Sequence, residues 1–152
     1  MHTPDHHYYL NAIPPAEIKD DAAFVSNVID LGTVQAAGAD RLVFFVQLGS
    51  IDADLSVLKL VESDTLTNAT TLGGTPADVL DALDQLTAAP GAADDSKLIR
   101  VELDLGSPRK RYVQLQATAG NGAAGTYLSA LAVLTHVNTP TAGNGASFTV
   151  ST

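Results

Sequence analysis

Cysteine and tryptophan are absent from this 152-residue chain, which has four tyrosines, four phenylalanines and one methionine. Without cysteine there is neither a disulfide framework nor a thiolate metal site, although the compartment stays open. The scarcity of rings argues against a sugar-binding face or a platform on which bases stack. No apolar run approaches the ~20 residues of a membrane helix, so no membrane association is expected. The start, MHTPDHHYYL, has no basic region followed by an apolar stretch and does not read as a signal peptide. Bases are few as well: 8 against 17 acids, for a net charge of −9. Such a surface repels phosphate, so no direct nucleic-acid binding is expected, and it favours solubility and a basic partner. The length fits one domain that buries roughly 70% of the surface its unfolded chain exposes, with no need of a staple.

What is present is a period of two. Residues 24–31 (FVSNVIDL) place Val25, Ile29 and Leu31 on one face. Residues 41–48 (RLVFFVQL) place Leu42, Phe44, Val46 and Leu48 on one face and Val43 and Phe45 on the other, which predicts a strand covered on both sides. Residues 54–62 follow after the polar joint GSIDA, and a short polar joint between strands is a hairpin signal. Residues 99–105 and 111–118 alternate cleanly, with Val101, Leu103, Val113 and Leu115 inward. Residues 127–135 and 146–150 complete the set. Val57, Leu131 and Val133 are expected in the core with these. Short strands separated by turn signals argue for an all-β fold, an antiparallel β-sandwich of jelly-roll-like form, over residues 23–152. The hexapeptide TAGNGA at 118–123 and 141–146 reads as two turns, since Asn and Gly tolerate positive φ.

Two segments break the pattern. Residues 1–22 hold three of the four histidines, Tyr8-Tyr9 and Pro14-Pro15. Proline removes donors and fixes φ, so this part is expected to resist helix and sheet and to form an extended arm. Its apolar members Tyr8, Tyr9, Leu10 and Ile13 are then candidates for contact with another subunit. In TPADVLDALDQL, Thr75 can cap, Pro76 suits the first helical position, and Val79, Leu80, Leu83 and Leu86 share a helical face. This predicts one short helix over 75–86, in a long connection that crosses between sheets.

Candidate reactive groups are sparse. His2, His6 and His7 could meet a metal, but they match neither metalloprotease nor zinc-finger spacing, and solvated histidines are the favoured reading. Asp52, Asp54, Glu62 and Asp64 lie on predicted loops. Calcium is the lesser reading there, because a calcium loop offers more oxygens at regular spacing. His136 has no nucleophile motif to serve and is expected at a strand end or an interface. No catalytic residue, metal or cofactor is expected. Arg109, Lys110 and Arg111 are three of the eight bases, placed together after Gly106-Ser107-Pro108 on an expected hairpin tip. A solvated turn guarding a strand edge and a docking patch for a partner's acidic groups stand level.

The run ADRLVFFVQLGSIDADLSVLKLVESDTLTNAT resembles a group of small tailed-phage virion proteins in which a sandwich strand precedes G-x-I-D-A-x-L-x-x-K-L-x-E-S-D. Gly49, Ile51, Asp52, Ala53, Leu55, Lys59, Leu60, Glu62, Ser63 and Asp64 carry the likeness. It spans roughly residues 24–136, and the helix expected at 75–86 has no counterpart in it. The resemblance implies a head decoration, or capsid cement, protein. Such a protein is a non-enzymatic β-domain on the outer capsid surface, trimeric by preference, that clamps neighbouring major capsid proteins. A carbohydrate- or receptor-binding β-module of a viral fibre is the alternative.

Overall fold

The computed structural model describes residues 7–33 and 38–135. Its strands are β1 (Tyr8–Ile13), β2 (Ile18–Lys19), β3 (Ala23–Val25), β4 (Ile29–Asp30), β5 (Arg41–Leu48), β6 (Val57–Ser63), β7 (Leu66–Asn68), β8 (Thr71–Leu72), β9 (Ala77–Asp81), β10 (Leu98–Asp104), β11 (Tyr112–Thr118) and β12 (Thr126–Thr135). One sheet runs β1-β12-β5-β10, with β2 also beside β12. The other runs β3-β11-β6-β9, with β4 also beside β11. The two form an antiparallel β-sandwich. Leu42, Phe44 and Val46 of β5 face Leu58 and Leu60 of β6 and Val113 and Leu115 of β11 in a core with almost no solvent exposure. Val101 and Leu103 are buried beside them.

The expected arm is part of the sandwich. Tyr8 pairs with Leu134, and the pairing runs on to Ile13 opposite Ala130, with a bulge between Asn11 and Ile13. Tyr8, Ala12 and Ile13 are buried and Leu10 packs against the core. The two prolines do not forbid the strand because they fall just past its end. They interrupt the edge for residues 14–17 before β2 resumes pairing at Ile18 and Lys19. An edge strand tolerates such a break, whereas a central one does not.

The expected helix is a strand followed by a single 3-10 turn. Residues Ala77–Asp81 pair with β6, from Glu62 opposite Ala77 to Lys59 opposite Asp81. The turn at Leu83–Gln85 opens with the Leu83 amide donating to the Asp81 carboxylate at 3.0 Å. A helix of three turns is marginal by itself and depends on packing. Here β6 has a free side whose backbone groups need partners, and β9 supplies them. A bulge lets both Val79 and Leu80 pack against the core.

The joint after β5 is not a hairpin: β5 and β6 lie in different sheets, as do β10 and β11, so GSIDA and GSPRK both cross the sandwich. Residues 24–31 likewise form two short strands rather than one. Phe24 and Ile29 both point inward and Val25 outward, a spacing that regular alternation forbids. The break at 26–28 restores the phase, and the Ser26 hydroxyl there accepts the Leu115 amide at 2.9 Å. In β12 the inward set is Leu128, Ala130, Ala132 and Leu134, and Leu131 is 41% exposed. The small residues face inward because Ala132 lies opposite Phe44 and Ala130 opposite Val46, so bulk on β5 is met by space on β12. Val57 is half-buried at the start of β6, and Val133 is buried from the outer side. The strand expected at 146–150, the second TAGNGA, and His2, His6 and His136 lie outside the described residues.

Candidate functional site

The crossings divide the sandwich into two ends. At one end residues 49–56 form a hub. The Gly49 amide donates to the Tyr127 carbonyl at 2.8 Å, and the Tyr127 amide to the Ser50 carbonyl at 2.8 Å. The Ile51 amide donates to the Asp95 carboxylate at 2.8 Å, the Leu55 amide to Pro90 at 2.8 Å and the Ser56 amide to Thr118 at 3.0 Å. Ile51 and Leu55 insert into the core. Asp52 holds the first TAGNGA loop: its Oδ2 accepts the amides of Ala124 and of Gly125, the latter at 2.9 Å. Those amides hold the Asp52 carboxyl below the usual carboxylate range. The loop comes so close that a Cβ on Gly122 would lie 2.2 Å from the Asp52 carboxylate, and one on Gly120 2.3 Å from the Asp54 carbonyl. The signature phrase is thus a structural clasp. Asp52 and Asp54 sit at this end of β6 and Glu62 and Asp64 at the other, and the described residues contain no group of three or more acids or histidines arranged for a metal.

At the opposite end the connection from β10 to β11 carries Arg109, Lys110 and Arg111. With residues 31, 32, 39 and 64 it lines an open cleft of about 440 Å³. The three bases are not equivalent. Arg111 grips Asp30 with two bonds of 2.9 Å and lies over the Tyr112 ring at 5.0 Å. That guanidinium draws the Asp30 carboxyl below its ordinary range, and Asp30 in turn raises Arg111. Arg109, an exposed residue, donates through Nε to the Asp104 carbonyl at 3.3 Å. The backbone amides of Lys110 and Arg111 donate to Glu62 and Asp64, both at 3.3 Å. Acidic side chains therefore organise this loop: Arg111 is tied to Asp30, Arg109 is exposed and Lys110 is half-buried.

A third surface was only half visible in the sequence. The hairpin β7–β8 ties onto the outer face of the second sheet, where the Ser63 hydroxyl donates to Gly73 at 2.7 Å and the buried Gln114 amide to Thr70 at 3.0 Å. On the outer face of the first sheet the paired Val43 and Val133 are buried. Tyr9, Leu98 and Leu131 are exposed there, beside half-buried Phe45. A groove of about 280 Å³ runs between Phe45, Leu98, Leu131 and Pro15. The Tyr127 hydroxyl fixes its rim by donating to the Pro15 carbonyl at 2.5 Å. Of the four apolar contact candidates, Tyr8 and Ile13 belong to the protein's own core, Leu10 packs against it, and Tyr9 alone faces out. The His7 ring stands edge-on to Tyr9 at 6.1 Å. Val43 and Phe45, both apolar on the outer side of β5, were the available signal for this face.

No family model matches the chain, and no curated protein matches it.

Proposed function

We propose that this chain is a structural decoration protein of a phage head, bound to the outer surface of the capsid and stabilising it by clamping neighbouring major capsid proteins. The observation that carries the reading is the phrase GSIDADLSVLKLVESD, whose Asp52, Ile51 and Leu55 fasten the crossings at one end of the sandwich. A cement protein resists deformation, and a clasp that joins several chain crossings at one point supplies rigidity. The strand order supports a jelly roll. With β1–β2 and β3–β4 each counted as one interrupted strand, the sheets follow the alternating order expected of two nested Greek keys. In this reading the chain holds its target through surface complementarity, without reaction chemistry, cofactor, nucleic acid or membrane. The resemblance favours three copies as the decorating unit. Binding only to the assembled shell shifts the equilibrium toward that shell.

The docking elements are the loop bearing Arg109 and Lys110, which presents cations to acidic groups on the shell, and the apolar outer face around Tyr9. The test is co-sedimentation of the purified chain with undecorated heads, followed by heating of decorated and bare heads. Saturable binding and a higher temperature of DNA release are expected. Failure to bind its own heads, with binding instead to arrayed glycans, would replace the cement reading by that of a fibre module.

A further inference from the structure

We propose that the free edge of β10 is a self-association surface, onto which a second copy of this chain adds antiparallel and continues the first sheet across a two-fold axis at Val101. The inference does not depend on the capsid reading.

Among the described residues the sandwich has four edges, and three are spoiled for pairing. The edge of β1 and β2 is bulged between Asn11 and Ile13 and broken by Pro14-Pro15. The edge of β3 and β4 is broken at residues 26–28. The edge of β9 is bulged opposite Leu60 and Val61. Bulges, breaks and prolines are among the devices by which sheets keep other chains off, edge charges being another. In contrast, β10 runs seven residues without a shift in register, from Leu98 opposite Gln47 to Asp104 opposite Arg41, and no proline falls within it. Among the described residues β5 is its sole strand neighbour.

The direction of its backbone groups follows from the bonds at its two ends. The Leu48 amide donates to the Lys97 carbonyl at 2.9 Å, and the Leu105 amide donates to the Asp40 carbonyl at 2.8 Å. Since bonding alternates along an antiparallel strand, residues 97, 99, 101, 103 and 105 point toward β5. Leu98, Arg100, Glu102 and Asp104 then turn their amides and carbonyls to the open side. The Asp104 carbonyl already takes a bond from Arg109 on that side. A second strand must set these even-numbered residues against even-numbered residues of its own.

Charge then selects the register. Centred on Val101, each Arg100 lies opposite Glu102 of the second copy, twice by symmetry. Centred on Arg100 or on Glu102 instead, like charges meet on the axis. Opposite charges directly across an antiparallel pair stabilise it, and like charges oppose it. The side chains are available for this. Arg100 is 57% exposed and holds Glu102 of its own chain at 2.5 Å, a bond it exchanges for the same bond to the second copy. Arg41 holds that carboxylate at 2.5 Å as well, so Glu102 keeps a partner on its own chain when Arg100 reaches across. About four backbone hydrogen bonds form between the two facing Arg100 and Glu102 pairs. A two-fold pairing of this kind closes at two copies, which differs from the three copies that the resemblance implies for the decorating unit.

The test is sedimentation equilibrium across micromolar concentrations, with circular dichroism of each variant to confirm that the sandwich is folded. Wild type is expected at the mass of two chains. Arg100→Glu sets Glu against Glu and should raise the dissociation constant about tenfold or more. The double exchange Arg100→Glu with Glu102→Arg restores opposite pairs across the axis and should restore the dimer. A monomer at every concentration, a mass of three chains, a dimer indifferent to Arg100→Glu, or a folded double exchange that stays monomeric would each overturn the proposal.

Discussion

Single residues at the two ends of the sandwich act through different physics. Asp52 accepts two backbone amides in a loop too tight for any side chain at residues 120 and 122. Its carboxyl is held below the ordinary range, so the ionised form is the one that the fold stabilises. A group with a lowered folded-state pKa stabilises the fold above its unfolded value, and that contribution is lost as pH falls through the folded-state value. Asp52→Asn removes the charge and keeps the shape. Its melting temperature should lie below that of wild type at neutral pH, and the gap should begin to shrink below about pH 4, where the unfolded chain's carboxyl takes up its proton, and close as pH falls through the lower folded-state value. Thermal scans of both proteins from pH 7 to pH 3 check this, and a gap that widens in acid would assign Asp52 another role. Arg111 and Asp30 form a better-shaped pair, with two bonds of 2.9 Å, yet the arginine is 54% exposed. Water screens it, so Arg111→Gln should move the chemical-denaturation midpoint only slightly. Leu115, fully buried between the sheets, lies at the other extreme. Leu115→Ala leaves a cavity and should cost roughly 2–5 kcal/mol in the same assay.

At the scale of elements, the first strand decides how the chain can be cut. β1 pairs along β12 and brings Tyr8, Ala12 and Ile13 into the core. Removal of residues 1–13 should therefore lower the melting temperature by more than ten degrees or leave the chain unfolded. A truncated chain that melts like wild type would return this segment to the status of an arm. The long central strands were legible in the sequence because alternation and burial say the same thing in Leu42–Leu48, Val101–Leu103 and Val113–Ala117. Three signals misled. Pro14-Pro15 weighs against a strand locally, but its effect ends where the strand ends. In TPADVLDALDQL the helical spacing of Val79, Leu80, Leu83 and Leu86 is real, yet the backbone demand of the adjacent β6 decides the outcome, as tertiary context overrides a weak local preference. In β12 the rule that large residues point inward fails because Phe44 already fills the space, so alanine goes in and Leu131 comes out. The candidate basic loop was located from its charge alone. Its division of labour was not, because Asp30 is 81 residues away along the chain from Arg111. That pairing exists only once β4 lies beside β11.

For the whole molecule, the proposed role asks how an acidic protein would hold a capsid shell. With a net charge of −9, long-range attraction to another acidic surface is unfavourable, so the few outward cations gain weight. Glu62 and Asp64 bind backbone amides and Arg111 binds Asp30, while Arg109 and Lys110 line the cleft, their side chains bonded to no acidic side chain among the described residues. A shell carboxylate reaching them would form charge-assisted bonds, stronger than neutral ones. Each such contact is modest at a wet surface, but many copies on one head, or two sites in one dimer, multiply modest contacts into firm attachment. Salt should weaken it, since exposed charges are screened beyond about 10 Å at 0.1 M. Arg109→Gln with Lys110→Gln leaves Arg111 on Asp30 and the fold intact. Counted on undecorated heads at low salt, this variant should occupy fewer sites than wild type, and the difference should narrow as salt rises. The apolar face around Tyr9 and Leu131 is indifferent to salt, so residual binding at high salt should vanish with Leu131→Glu. If the charge variant decorates heads as fully as wild type at every salt concentration while Leu131→Glu abolishes binding, the apolar face alone is the docking surface.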